Sequence, residues 1–316
     1  MRTNKFLAVG LLATLILSSC SNNEEPVNGA GVNEIKLSAG IGQTTRAVIN
    51  QGYEQDLPVA FARIEANASS WAGEGIKAVR VGGSGKTAVA FETSQVYNET
   101  TSTTLLGYYP RATVATSSDQ DKVTVPYTIN GDMDIMATEV LTGSKTAPIQ
   151  NCTFQRLLGQ LQFQCVGSAA AIAAWKNISI KVKGVPSTLE VLLNKSTGAS
   201  LKVNSTPTVD LNVYNCPTIP TNPDAQDPVI GYTMLCPVAD LGSVSAPITL
   251  EVNGSHSNTS LSKQITISNI QGGVKAGVSH LITLIFTVDG EISASATAEI
   301  APWNPGNASS GVVTPN

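Results

Sequence analysis

The chain has 316 residues, of which 13% are charged and 42% apolar, and a formal net charge of -4 at a pI near 5.3. That balance excludes a disordered chain, which needs low hydrophobicity and high net charge, and it leaves no basic footprint for nucleic acid. With two histidines in all, a zinc site built on several His ligands has no donors.

The chain begins with an address. Arg2 and Lys5 precede a 12-residue apolar run, Phe6 to Leu17, shorter than the roughly 18 residues a membrane span requires, so it reads as a signal-peptide core. Leu17-Ser18-Ser19-Cys20 comes next and resembles the lipobox of bacterial lipoproteins. The expectation is cleavage before Cys20, whose thiol then carries lipid in the outer membrane; an ordinary secretory signal cut elsewhere is the alternative. Residues 1–19 are thus the signal peptide and 20–32 a polar tether containing Glu24, Glu25 and Pro26. Export permits disulfides. Cys152, Cys165, Cys216 and Cys236 make no C-x-x-C, and their pairing is open; Cys165 reads as a core residue and Cys216–Cys236 is one pairing among several.

Period-two alternation dominates the chain beyond the tether. Ile35, Leu37, Ala39 and Ile41 face one way, Lys36 and Ser38 the other. Leu157, Leu161 and Phe163, then Ile178, Ile180 and Val182, mark further strands. Leu281 to Phe286 is nearly continuously apolar, as in a central strand, and Ile292, Ala294, Ala296, Ala298 and Ile300 alternate with polar residues. Turn signals lie at Gly82–Gly85, Asn130-Gly131-Asp132, Asn253-Gly254 and Asp289-Gly290. Only Ser168 to Trp175, alanine-rich behind a capping serine, reads as a helical turn. The pattern predicts an all-β chain of β-sandwiches, divided near residue 168 into domains 33–167 and 168–316.

Motifs that suggest chemistry dissolve on inspection. Gly85-Lys86-Thr87 resembles the end of a phosphate-binding loop, but Arg80 stands where that motif needs glycine, and a strand pattern succeeds it instead of a helix. Asp132 and Asp134 read as turn-flanking aspartates whose side chains bond nearby amides. His256 in a polar loop and His280 at the head of a strand read as structural. Trp71 reads as a packing anchor, with an exposed sugar-stacking ring as the alternative. The expectation is a non-enzyme with no cofactor and no metal.

Three stretches together resemble the fimbrillin family of pilin-like surface lipoproteins. They are the lipobox with Thr44-Thr45-Arg46-Ala47 after it; Gly107-Tyr-Tyr-Pro110, Gly131-Asp-Met-Asp-Ile-Met136 and Phe154 to Phe163; and the terminal Ile300-Ala-Pro-Trp303-Asn-Pro-Gly306. The family often has His where Gln155 or Arg156 stands. The resemblance implies two tandem transthyretin-like β-sandwich domains and polymerisation by strand exchange. It also implies an Arg-specific surface protease that cuts between Arg46 and Ala47. The strand carrying Ile35, Leu37, Ala39 and Ile41 is then displaced. A donor arm at about 291–316, carrying Ile292, Ala294, Ala296, Ala298 and Ile300, fills the groove of the next subunit. Read from the residues alone, Arg46 is a surface loop arginine and 291–301 the last strand of its own sandwich. Implied partners are other pilin subunits, in a fimbrium on the cell surface, supporting adhesion. A monomeric, lipid-anchored glycan-binding protein of the outer membrane is the alternative.

Overall fold

The structure, a computed structural model, describes residues 33–42, 49, 52–115, 119–225 and 229–302, with the backbone alone from 295 to 302. The first strands in chain order are β1 (Ser38–Ile41), β2 (Leu57–Glu65), β3 (Ile76–Arg80), β4 (Thr87–Phe91), β5 (Thr103–Tyr109), β6 (Lys122–Thr128), β7 (Met136–Ala137), β8 (Leu141–Gly143) and β9 (Asn151–Arg156). After β10 (Gly159–Gly167) comes the helix α1 (Ala169–Ala174), then β11 (Trp175–Asn194), β12 (Gly198–Asn212), β13 (Gly231–Leu235), β14 (Ile248–His256), β15 (Thr259–Ile267), β16 (Val278–Phe286) and β17 (Ile292–Pro302). The described chain is all-β apart from α1, whose N-cap Ser168 accepts from the Ala171 amide at 3.3 Å as the sequence predicts. Among the described residues no helix is long and apolar enough to cross a membrane.

The N-terminal half departs from the expected open sandwich. Its strands pair in the order β2, β3, β4, β1, β9, β7, β5, and β5 pairs again with β2, so seven strands close into a ring; β8 continues beside β7 on β5. Closure removes the edges that a sandwich would leave. Inward residues Leu57, Val59 and Phe61 of β2, Leu105 of β5 and Cys152 and Phe154 of β9 fill the ring with the residues of β1. On β2 and β5 the other face is buried as well, and Ala60, Ala62, Leu106 and Tyr108 join the core of the second half. Both faces being buried explains why β2 reads as a run and does not alternate.

The second half is a sandwich of β13-β10-β16-β17 on β12-β11-β14-β15, with β6 added to β11. Leu161, Phe163, Cys165, Ile282, Leu284 and Phe286 from one sheet meet Ile178, Ile180, Val182, Leu250, Val252 and Ile265 from the other. Strands β6 and β10 precede residue 168 in the chain yet pair with β11 and with β13 and β16, so ladders cross that position.

Two turn assignments change. Asn253-Gly254 lies inside β14, and the hairpin turns at Ser257 and Asn258, both with positive φ. A Cβ on Gly254 would stand 3.3 Å from the Trp175 ring, so the glycine makes room for the tryptophan. His256 accordingly ends β14, its ring tilted against that of Trp175 with centroids 5.1 Å apart. Asp134 is no turn residue either: Asn130 Oδ1 accepts the amides of Asp132 and Met133 at 3.0 and 2.9 Å, which leaves Asp134 for the interior. Trp71 packs against the larger core. The four cysteines are free thiols.

Candidate functional site

The candidate site is the place β1 occupies in the ring. Strand β1 runs parallel to β9, pairing Ser38–Ile41 with Asn151–Phe154, and antiparallel to β4, pairing Ser38 and Ala39 with Ala88 and Thr87. Among the described residues it is the one link between those two strands on the closed path. The ladders continue beyond it: the Ile35 amide donates to Gln95 O at 2.7 Å, the Tyr97 amide to Asn33 O at 2.7 Å and the Gly42 amide to Phe154 O at 2.8 Å. The predicted inward set is inward: Ile35, Leu37, Ala39 and Ile41 are 2%, 5%, 0% and 1% exposed. Period-two geometry puts the intervening Lys36 outside, where it pairs with Glu34 at 3.5 Å.

Two buried arginines hold this segment by its main chain, and neither was legible as a site. Arg80 ends β3 and is fully buried. Its Nε donates to Ala39 O at 3.0 Å, and its Nη atoms donate to the carbonyls of Val81, Gly83 and Gly85 at 3.3, 2.9 and 2.8 Å. The β3–β4 loop thus turns carbonyls inward onto a guanidinium, the reverse of the amide nest that a phosphate needs. Arg156 ends β9. Its Nε donates to Asp134 Oδ2 at 2.8 Å, its Nη1 to Gly42 O at 2.8 Å and its Nη2 to Ile49 O. Burial lowers the pKa of both arginines, and Arg156 is partly restored by Asp134. Burial pushes the Asp134 carboxyl up to about 6 against the pull of Arg156, and Asp134 Oδ1 has no partner among the described residues. The sequence signal was parity: Arg80 shares the inward register of Ile76 and Ala78, and Arg156 that of Cys152 and Phe154. A charge at an inward strand position demands a buried partner.

The other predicted site residues divide between the described and the undescribed parts of the chain. Cys20, Arg46 and Ala47 lie outside the described residues, as does Trp303; Gly42 and Ile49, the described residues nearest Arg46 on either side, both lend their carbonyls to Arg156. Of the predicted donor segment 291–316, residues 292–302 form β17, antiparallel to β16, with Ala294 opposite Leu284 and Ile300 opposite His280, and 303–316 lie outside the described residues. Ile292 and Ala294 pack against the sandwich core; of Ala296, Ala298 and Ile300 the backbone alone is described. The slot of β1 and the strand β17 therefore belong to different halves. Among the described residues no group of three or more His, Cys, Asp or Glu is placed to hold a metal.

Known proteins show the same fold. A candidate cell adhesion protein from Bacteroides uniformis superposes with a TM-score of 0.58 at 16% identity, covering 89% of this chain and 100% of its own. A second, from Bacteroides ovatus, gives 0.56 at 14% identity over 87% and 99%, and one from Bacteroides fragilis 0.52 at 10% over 83% and 97%. No curated protein sequence matches. The model of the fimbrillin-like family matches residues 45–303, a span that takes in the sandwich and every strand of the ring except β1, and on that match the chain belongs to the fimbrillin-like family.

Proposed function

We propose that the chain is a structural pilin subunit of surface fimbriae that supports adhesion. In this reading it is exported as a lipoprotein on Cys20 and cut after Arg46 by an Arg-specific surface protease. It then polymerises with other pilin subunits by strand exchange, and the ring and the sandwich are its two tandem transthyretin-like units. The observation that carries the reading is that a short N-terminal strand is, among the described residues, the sole link between β4 and β9. A cut after Arg46 severs β1 from the rest of the ring. Its departure would leave two edges of unpaired amides and carbonyls, and an apolar trough where Ile35, Leu37, Ala39 and Ile41 had been. An extended segment of another subunit satisfies both needs at once, ladder by main chain and trough by alternate side chains. The terminal segment repeats the pattern of β1, with apolar residues at every second position from Ile292 to Ile300. Such a head-to-tail contact does not close on itself and so builds a filament.

The test is Arg46→Ala in the native cells. The expected result is a subunit that keeps its N-terminal segment and its lipid and gives no filaments. Undiminished filaments built from the uncut variant would overturn the reading. The glycan-binding alternative gains nothing from Trp71, which is spent on packing.

A further inference from the structure

We infer that Arg80 and Arg156 form a carbonyl-reading pair: they recognise main-chain oxygens of whichever extended strand lies between β4 and β9, first β1 and then an incoming segment of a second copy. The second half of this statement rests on the strand-exchange reading above; the first does not.

Each arginine has two kinds of partner. Arg80 is held by Val81, Gly83 and Gly85, which belong to its own hairpin, and Arg156 is held through Nε by Asp134. These partners, and Ile49, belong to the part of the chain that lies after the predicted cut. The remaining donors face the exchangeable segment: Arg80 Nε toward Ala39 O and Arg156 Nη1 toward Gly42 O. The two carbonyls lie on opposite edges of the strand. Leu37 O accepts from the Val89 amide, and Ala39 O, two residues on, faces the same side. Gly42 donates its amide to Phe154 O and so faces β9.

Both arginines sit where a ladder runs out. Thr87 is the first residue of β4 and stands opposite Ala39, while Arg156 is the last residue of β9. Each guanidinium therefore continues a main-chain ladder by one more donor. A carbonyl offers no side-chain information, so the pair fixes the position and direction of the occupant and leaves its sequence to the trough. With the slot empty, Arg80 Nε loses its Ala39 acceptor in a buried setting, which favours refilling over vacancy. Gly42 adds a steric limit: a Cβ there would stand 2.6 Å from Gln155 Oε1, so an occupant needs glycine at that position or a shift of Gln155.

The first measurement uses the uncut chain and amide hydrogen exchange in the wild type, Arg80→Lys and Arg156→Lys. Lysine keeps the charge and loses the fork. The expected result is exchange at 35–42 at least tenfold faster in each variant, with the amides of β5, in the same ring, unchanged. Unchanged protection at 35–42, or equal acceleration across the ring, would overturn the pair's role. The same variants combined with Leu37→Ala should show the same fold-change as alone, because the arginines hold β1 by its carbonyls; a changed factor would contradict carbonyl reading. The second measurement cuts each chain after Arg46 and adds a labelled peptide of residues 291–316. Capture by the wild type and at least tenfold weaker capture by the lysine variants is expected. Equal capture would overturn the reading of the incoming strand. No capture by the cut wild type would refute strand exchange itself, and with it the second half of the proposal, while the exchange data on uncut chain decide the first.

Discussion

Truncating Ile41 to alanine tests whether β1 is an integral stave of the ring or a tail laid against it. Ile41 is 1% exposed, stands opposite Phe154 in the parallel ladder and belongs to the same core as Leu57, Val59 and Phe61. The space it vacates lies inside a closed ring, and the Phe61 and Phe154 rings of the same core already meet edge-on with centroids 6.1 Å apart, so collapse into the gap is restricted. Removing a buried Ile side chain from such a site costs about 2–5 kcal/mol. Taking about 3 kcal/mol, the midpoint of thermal unfolding falls on the order of 10 °C for a unit of this size. The control is on the same chain segment: Lys36 is 62% exposed at its side chain, and Lys36→Ala should change stability by less than about 0.5 kcal/mol. Urea unfolding monitored by tryptophan fluorescence and far-UV circular dichroism supplies the numbers, with the slope checked for constancy. If Ile41→Ala and Lys36→Ala behave alike, with neither exceeding about 0.5 kcal/mol, β1 is not part of the cooperative ring and the reasoning fails.

Arg156→Met should cost about 3–5 kcal/mol, because it strands the buried Asp134 carboxyl and removes the donors to Gly42 and Ile49; a near-neutral result by the same urea titration would contradict the geometry. Asp134 also sets a pH dependence. Its folded pKa, pushed up to about 6 by burial, exceeds its reference of 3.8, so its contribution is full below pH about 4 and is lost as pH rises to about 6. Relative to Asp134→Asn, the wild type should lose about 3 kcal/mol over that window and stay level above it; a difference independent of pH would refute it. Burial pushes the thiols of Cys152 and Cys236 up to about 12 and that of Cys216 to about 11. At about pH 7.5 the buried Cys152 and Cys236 should resist alkylation in the folded chain and react promptly in urea, read by intact mass; rapid labelling of either in the fold would contradict its burial.

What was legible in the sequence was local. The inward parity of Ile35, Leu37, Ala39 and Ile41, the capped turn at Ser168 and the hairpin at Gly82–Gly85 all arise from neighbours a few residues away. Ring closure was not, because it depends on pairings such as β1 with β9 and on contacts such as Arg156 with Gly42, 114 residues apart. Asn253-Gly254 has the composition of a hairpin turn, yet Trp175 claims the space above Gly254 and the strand runs on to His256. Asp134 failed for a similar reason. Its turn is served by Asn130, and its own carboxyl answers a charge that β9 carries inward. Arg80 and Arg156 broke the apolar alternation of their strands, and that break was the available signal for the slot.

Strand exchange requires that β1 be replaceable and that a cut at Arg46 free it. The most direct measurement is intact mass with N-terminal sequencing of the protein sheared from the surface of native cells. The expected result is a chain that starts at Ala47 and carries no lipid. A chain that still starts at acylated Cys20, with β1 attached, would contradict it.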